Sequence, residues 1–297
     1  MSAPTAGPVI ETSRAGADLS AGLDALELGP AEPRTPPLKR VLESVLPPLF
    51  ALGFLLAVWQ LVEVTRDPET LPSPTEVWDS LRDSVSDGRV QEAVVTSLER
   101  GALGFLASVA IATPLGLLLA QVRFLRRAFQ PIISGLMSLP SVAWVPAAIL
   151  WFSLSEGTIY FVILMGAIPS IVNGTISGID QVPPLFTRVG HVLGARGLTL
   201  ARHVLLPAAL PGYIGGLKQG WAFSWRSLMA AELIVNSSTF GFGLGQLLDQ
   251  SRQLFDIPGV LVGILAILVV GLAVDLLLFS PLERAVLKRR GLVGAKG

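Results

Sequence analysis

Residues 101–122 read GALGFLASVAIATPLGLLLAQV and contain no charged side chain. A helix needs about 20 mostly apolar residues to cross the hydrocarbon core of a bilayer, and this stretch is long enough. Over the whole chain, hydrophobic residues make up 51% and charged residues 15%, whereas soluble domains carry about 25% charged residues. The stretch therefore predicts a transmembrane helix, and the composition predicts that it is one of several.

Five further apolar stretches flank this segment on both sides. In the first of them, Pro47 and Pro48 are predicted to mark the opening helical turn. Prolines inside several of the six stretches predict kinked helices, which membrane proteins tolerate: Pro114, Pro140, Pro146 and Pro169. The predicted fold class is an all-α polytopic membrane protein with about six transmembrane helices. The predicted spans are Val45–Val62, Gly101–Val122, Pro131–Leu154, Thr158–Ile179, Pro207–Ala231 and Ile257–Pro281.

The first 40 residues differ from the rest of the chain. Prolines interrupt an Ala/Gly-rich stretch with scattered acidic residues, and no apolar run is long enough for a signal-peptide core. Such a composition does not bury enough apolar surface to become ordered. We predict a disordered cytoplasmic tail at 1–40, followed by a transmembrane domain at 41–290.

Lysine and arginine are distributed unevenly between the two sides of the membrane. The side that holds both termini of a six-span chain carries fifteen of them, and the other side carries four. Because the excess lies on the cytoplasmic side of membrane proteins, we predict cytoplasmic termini and a multi-pass protein of the cell (inner) membrane. The 22 basic and 22 acidic residues balance, which argues against nucleic acid as a partner. The chain has no cysteine, and its two histidines, His191 and His203, lack companion ligands, so no metal site is predicted.

The cytoplasmic loop at about 180–206 has a pattern of its own. Residues 185–211 read LFTRVGHVLGARGLTLARHVLLPAALP, with helix formers on either side of Gly194 and Gly197 and with Pro207 closing the segment. This predicts a helix, a glycine turn and a second helix on the cytoplasmic face. The apolar side chains of the first helix suit a groove in another protein, and a helix lying in the lipid headgroup layer is the alternative. The pattern alone leaves both open.

The same loop resembles the coupling loop of the permease subunits of binding-protein-dependent ABC importers. That family pattern places Glu-Ala-Ala three residues before a glycine and ends in Leu-Pro. Matching residues stand at Gly194, Ala195, Leu206 and Pro207, whereas the Glu-Ala-Ala positions hold Arg188, Val189 and Gly190. The glycine turn and the Leu-Pro keep their spacing, so the loop assignment stands although the glutamate is missing.

Other motifs extend the resemblance over about residues 70–285. LPSP at 71–74, LPSVAWVPAAILWF at 139–152 and AAELI at 230–234 are similar to the permeases for aliphatic sulfonates, taurine and nitrate. The resemblance implies a type I ABC importer permease fold and inward transport of a small organic anion, with aliphatic sulfonate as the expected substrate. Nitrate, taurine and a thiamine precursor are the alternatives within the family.

The resemblance also implies partners. Two permease copies, two ATPase subunits and an extracytoplasmic substrate-binding protein are expected beside membrane lipid. The residues expected to dock the ATPase subunit are Arg188, Val189, Gly190, His191, Val192, Leu193, Gly194 and Ala195. A P-loop requires Gly-Lys-Ser/Thr, and none of the four lysines follows a glycine. The chain is therefore predicted to be no enzyme and to hold no cofactor, with ATP and Mg on the partner ATPase.

Ionisable residues inside the spans mark candidate functional positions, because such side chains must face protein or water. Lys218 and Arg226 lie eight residues apart and project to one side of a helix. The predicted translocation path consists of Trp221, Trp225, Arg226 and Glu232, a cationic groove with aromatic walls. The alternative is a structural role, in which Arg226 and Glu232 satisfy each other or a loop near the outer face.

The remaining ionisable residues are predicted to have structural roles. Lys218 is expected to snorkel, and Arg100 and Asp275 are expected to be interhelical partners. The GFGLG at 241–245 follows no strand, so it predicts a turn before a short external helix. The intramembrane charges alone would also suit an ATP-independent secondary transporter, although the internal repeat of spans typical of that class is not evident.

Overall fold

A computed structural model describes residues 37–65, 71–235 and 241–289, without the side chains of 37–44 and Leu198. All regular structure in these residues is helical. The helices are α1 (Pro37–Thr65), α2 (Pro74–Ser86), α3 (Arg89–Gln121), α4 (Arg123–Ser138), α5 (Val145–Phe152), α6 (Glu156–Asp180), α7 (Pro184–Val192), α8 (Gly197–Leu200), α9 (Leu206–Ile234), α10 (Leu244–Gln253), α11 (Ile257–Val274) and α12 (Ser280–Arg289). Short π-helical stretches, Ala201–Leu205 and Asp275–Phe279, join α8 to α9 and α11 to α12.

The start of the chain differs in part from its prediction. The predicted tail at 1–40 lies outside the described residues as far as residue 36, and α1 already begins at Pro37. Pro47 and Pro48 lie inside α1 and not in its first turn, so that prediction is wrong. Proline disfavours a helix interior because it removes a hydrogen bond and crowds the preceding turn, but transmembrane helices tolerate it. The described residues up to Leu61 form one unit, and those from Val62 form another.

Four helical stretches among the described residues are long and apolar enough to cross a membrane: Val45–Thr65, Arg89–Gln121, Glu156–Asp180 and Ile257–Arg289. A bent pair over 123–152 would be a fifth. The remaining predicted span corresponds to α9. This helix has 29 residues and is long enough to cross a membrane, but it is less apolar than the four stretches above. Twelve of its residues are buried, so much of this helix faces protein, where it needs less apolar surface than lipid contact would require.

The predicted span Pro131–Leu154 is broken rather than only kinked. Helix α4 ends at Ser138, and a short 3₁₀ turn at Ser141–Trp144 leads into α5, so that the two halves are bent by 100°. Leu139 and Pro140 adopt extended backbone between them. The break follows from Pro140, which disfavours helical backbone at the residue before it. The kink predicted at Pro140 is thus confirmed, and it is sharp enough to divide the span into two helices.

Helices α6 and α9 pack backbone against backbone through small residues. A Cβ atom on Gly174 would lie 2.3 Å from the Cα of Gly216, and one on Gly212 would lie 2.6 Å from the Cα of Gly178. Small residues recur every fourth position on both helices: Gly166, Ser170, Gly174 and Gly178 on α6, and Gly212, Gly216, Gly220 and Ser224 on α9. Such spacing lets helices approach closely in membranes, where packing rather than the hydrophobic effect drives association. Helix α3 packs on the other side of α6, where Gly104 faces Ile163 and Gly116 faces Thr175.

Candidate functional site

The predicted aromatic and cationic residues of α9 line one cavity. Its volume is about 490 Å³, and its walls are Gly215, Lys218, Gln219, Trp221, Ala222, Trp225 and Arg226 of α9 with Gly271 and Asp275 from the α11 side. The rings of Trp221 and Trp225 stack, with centroids 6.1 Å apart and planes inclined by 21°. Helical spacing alone predicts that these side chains share a face, and the structure confirms this.

Charges stand at two places along this cavity. The Lys218 ammonium lies 3.2 Å from Asp275 and 3.8 Å from Glu283. Asp275 opens the π-helical stretch, a local distortion that often marks functional positions. Arg226 donates from Nε to the carbonyl oxygen of Ala222 at 3.0 Å, and its guanidinium lies 4.8 Å from the ring centroid of Phe223. Among the described residues, no carboxylate forms a salt bridge with Arg226.

Of the structural alternatives for these charges, the pairing of Arg226 with Glu232 is wrong, whereas a contact of Glu232 with a loop is confirmed, because the backbone N–H of Gly245 donates to its carboxylate. Glu232 does not line the cavity; it is fully buried and forms a salt bridge of 3.1 Å with Arg100 of α3. Six residues on a helix correspond to about 600°, so Glu232 points about 120° away from Arg226. The interhelical roles predicted for Arg100 and Asp275 are confirmed, each with a partner on another helix. Lys218 is part of an ion pair as well as partly exposed.

The buried Glu232 carboxylate is surrounded by three donors, two on α3 and one in the 241–245 loop. Ser97 Oγ donates to Oε2 at 2.7 Å, the backbone N–H of Gly245 donates to the same oxygen at 3.0 Å, and Arg100 binds Oε1. Arg100 also binds Glu156 at the start of α6 with a distance of 3.1 Å. A buried charge is tolerated only when it is paired and hydrogen-bonded, and this carboxylate has both.

The glycines of 241–245 allow this approach. A Cβ atom on Gly243 would lie 2.4 Å from a Glu232 oxygen, and one on Gly245 would lie 2.5 Å from the Glu232 Cβ. The backbone N–H of Leu244 donates to Ser97 Oγ at 2.8 Å, so the loop is held to α3 as well. The predicted turn before a short helix is confirmed, because Gly241 has φ +87° and α10 begins at Leu244. Sequence reasoning missed only that the turn encloses a carboxylate, although AAELI and GFGLG each stood out.

The loop predicted at about 180–206, with docking residues 188–195, forms the helix, glycine turn and helix expected from its sequence. Residues 185–200 are called the docking segment below. Helix α7 ends where Gly194 adopts φ +82° and where the N–H of Ala195 donates to the carbonyl of Gly190 at 2.9 Å. This is a Schellman ending, which requires a left-handed residue and therefore favours glycine. Gly190 is buried against Leu200. A Cβ atom at Gly190 would lie 2.6 Å from Leu200 Cδ1, so the position has no room for a side chain unless Leu200 moves.

The outer face of this docking segment is apolar and exposed. Val192 is 85% exposed and Leu193 80%, and Leu185, Phe186 and Val189 are exposed as well. Arg188 and His191 are also exposed. Of the predicted docking residues, only Gly190 is buried in the chain itself, which fits a spacer role better than a contact role.

Comparison with known proteins finds a matching family model, several relatives and a solved structure with a similar fold. The family model described as "Binding-protein-dependent transport system inner membrane component" matches residues 112–280. The nitrate import permease protein NrtB of Synechocystis sp. is 30% identical over 78% of this chain and 86% of its own length. The taurine transport system permease protein TauC of Escherichia coli is 27% identical over 76% of this chain and 83% of its own length. A structure of the MetNI methionine ABC transporter in inward-facing conformations shares the fold, with a TM-score of 0.50 at 20% identity over 65% of this chain and 94% of the other.

Proposed function

Because the chain belongs to the family of binding-protein-dependent transport system inner membrane components, the ABC importer permeases, we propose that it carries a small organic anion across the inner membrane. Transport is by alternating access and is driven by separate ATPase subunits. Both termini are cytoplasmic in this proposal, as the fifteen-to-four distribution of lysine and arginine supports.

The exposed docking segment is the observation that carries this proposal. Val192 and Leu193 are exposed at the end of a rigidly terminated helix. Burying an apolar side chain of this size in a partner groove contributes about 1.5–3 kcal/mol. Hence the ATPase subunit docks on Val189, Val192 and Leu193, with Arg188 and His191 at the rim. Two such subunits, a second permease copy and an extracytoplasmic binding protein complete the importer.

The proposed translocation path follows the cavity along α9. Arg226 supplies a cationic group without a carboxylate partner among the described residues, and Trp221 and Trp225 supply apolar walls. A sulfonate with a short alkyl chain carries one anionic and one apolar end, so aliphatic sulfonate is the substrate we favour. Glu232 contributes to the path by holding the 241–245 loop rather than by touching substrate. The nitrate and taurine permeases among the relatives support a small anion, and nitrate, taurine and a thiamine precursor are the alternatives.

Copurification tests the docking assignment. The full chain is purified in detergent with the ATPase encoded beside it, as wild type and as the double variant Val192→Asp/Leu193→Asp. We expect the ATPase to copurify with wild type and to be lost from the variant. Leu254→Asp is the matched control, since Leu254 is 69% exposed and lies beyond α10, outside the docking segment. Equal recovery of the ATPase with all three proteins would refute docking at this segment.

Transport tests the substrate and the energy source. The reconstituted importer is expected to accumulate labelled ethanesulfonate only with ATP, and Arg226→Gln is expected to raise KM about tenfold or more because one charge-assisted hydrogen bond is lost. Competition by nitrate, taurine or a thiamine precursor identifies the alternatives. Uptake by this chain alone, driven by an ion gradient, would instead establish a secondary transporter.

A further inference from the structure

Three arginines line a cavity on one face of α4, apart from the docking segment and the α9 cavity. The cavity has a volume of about 400 Å³ and is lined by Arg123, Arg126, Arg127, Gln130, Pro131 and Ser134. These positions recur at helical spacing, so they form one continuous stripe along the first three turns. The stripe begins where the apolar span α3 ends, since only Val122 separates the two helices.

Arg126 is committed to a structural contact. Its guanidinium binds the Asp180 carboxylate in a bidentate manner, with 2.8 Å between Nη1 and Oδ1, and its Nε donates to Gln130 at 3.0 Å. Asp180 ends α6, and α7 of the docking segment begins four residues later. Arg126 therefore forms a fixed wall of the cavity and leaves little capacity for a ligand.

Arg123 and Arg127 remain without a carboxylate. In the parts of the chain that the structure describes, neither takes part in a salt bridge. Like charges four residues apart destabilise a helix, and α4 has no acidic residue in its first turn to offset them. The positive end of the helix dipole adds to the same potential. A negative ligand would relieve all of these unfavourable terms together.

One apolar side chain lies beside the arginine stripe. Phe124 is 78% exposed and follows Arg123 directly, so it lies about 100° from Arg123 around the helix, whereas Ile132 lies on the opposite face. An inorganic anion would leave Phe124 uncovered, whereas an amphiphile with a phosphate and acyl chains matches both surfaces. The cavity also lies at the depth where a span ends, which is the depth of lipid headgroups.

We propose that this cavity binds an anionic phospholipid, with its phosphate between Arg123 and Arg127 and an acyl chain along Phe124. Arg126 and Asp180 then connect the lipid site to the docking segment. The inference is independent of the transported substrate, because none of these residues lines the α9 cavity.

Native mass spectrometry of the full chain tests this site. The delipidated protein is titrated with phosphatidylglycerol or phosphatidylcholine, alone and with excess inorganic phosphate. We expect one tightly held phosphatidylglycerol per chain and at least tenfold weaker phosphatidylcholine. The double variant Arg123→Gln/Arg127→Gln is expected to bind phosphatidylglycerol about 30-fold more weakly, as two basic residues at the surface would predict.

Arg284→Gln/Arg289→Gln is the matched control, because it removes two exposed arginines from another helix and should change affinity less than threefold. Equal affinity for both lipids, or undiminished affinity in the first variant, would overturn the proposal. Displacement of the lipid by equimolar inorganic phosphate would also overturn it, in favour of a soluble-anion site. As a measurement that needs no variant, phosphatidylglycerol binding to wild type should weaken as salt is raised, and salt-independent binding would contradict the arginine contact.

Discussion

Replacing Gly174 with alanine should separate the two most closely packed helices of the protein. The new Cβ atom would lie 2.3 Å from the Cα of Gly216 and 3.3 Å from its backbone nitrogen. Carbon atoms in contact are about 3.5–4.0 Å apart, so the backbones of α6 and α9 must move apart by more than about 1 Å. Neither atom belongs to a flexible side chain, so no rotamer change relieves the overlap.

The magnitude follows from two opposing terms. Overpacking of this kind costs about 1–3 kcal/mol, and the separation also loosens the adjacent contact of Gly178 with Gly212. Alanine stabilises a helix relative to glycine by up to about 1 kcal/mol, which offsets part of that cost. We expect Gly174→Ala to lower the free energy of unfolding by about 1–2 kcal/mol.

The assay is reversible unfolding of the purified chain in mixed micelles by a denaturing detergent, followed by tryptophan fluorescence. Gly215→Ala is the matched control, because Gly215 lies on the same helix as Gly216 and a Cβ atom added to it would meet no other atom within 4 Å. That variant should be as stable as wild type or slightly more stable. If Gly174→Ala matched Gly215→Ala, the backbone contact between α6 and α9 would be refuted.

Three further predictions concern other parts of the molecule. Ser97→Ala should lower the unfolding free energy by about 1–3 kcal/mol, because it removes a donor to Glu232 and leaves the Leu244 N–H unpaired. The control is Ser224→Ala, at an equally buried hydroxyl without a partner in the described residues, and it should not lower the unfolding free energy in the same assay. Gly194→Val should abolish the coupling of ATP hydrolysis to transport, because a β-branched residue resists φ +82°, whereas Gly194→Asn should retain the coupling. The readout is substrate-stimulated ATPase activity. Normal activity in the valine variant would contradict a coupling role for this turn. Asp180→Asn should change the unfolding free energy by less than about 1 kcal/mol, since its pair with Arg126 is largely exposed, and a larger loss would show that this pair is shielded from water in the membrane.

Most of what could be predicted from the sequence depended on patterns within a single short segment. The docking segment was predictable because a glycine turn between helix formers needs no distant partner. Trp221, Trp225 and Arg226 were predicted on one face because helical periodicity alone determines that. The broken span at 139–140 carried a local signal as well, a proline, but its 100° bend depends on how α4 and α5 pack on α6.

Pairing between distant segments could not be predicted in the same way. Arg100 and Glu232 are 132 positions apart, and Arg226 is nearer to Glu232 in sequence, so the local candidate was the wrong one. The glycines of 241–245 predicted only a turn, because their closeness to a carboxylate exists only after α3, α9 and the loop have met. The four-residue spacing of small residues in α6 and α9 was a readable signal of close packing, although it does not name the partner helix.

The contact between α6 and α9 consists of glycine pairs at one end and includes buried serine hydroxyls at the other. This difference affects how a movement of the docking segment can reach the α9 cavity. Near Asp180, glycine pairs bring the backbones together without a side chain between them. Farther along lie three buried hydroxyls, of Ser170, Ser224 and Ser227, with no hydrogen-bond partner in the described residues. A buried polar group left unpaired costs about 1–3 kcal/mol, so this half gains less from the same close approach. We therefore expect the glycine half to move as one body with the docking segment, while separation begins at the serine half, beside Trp221 and Arg226.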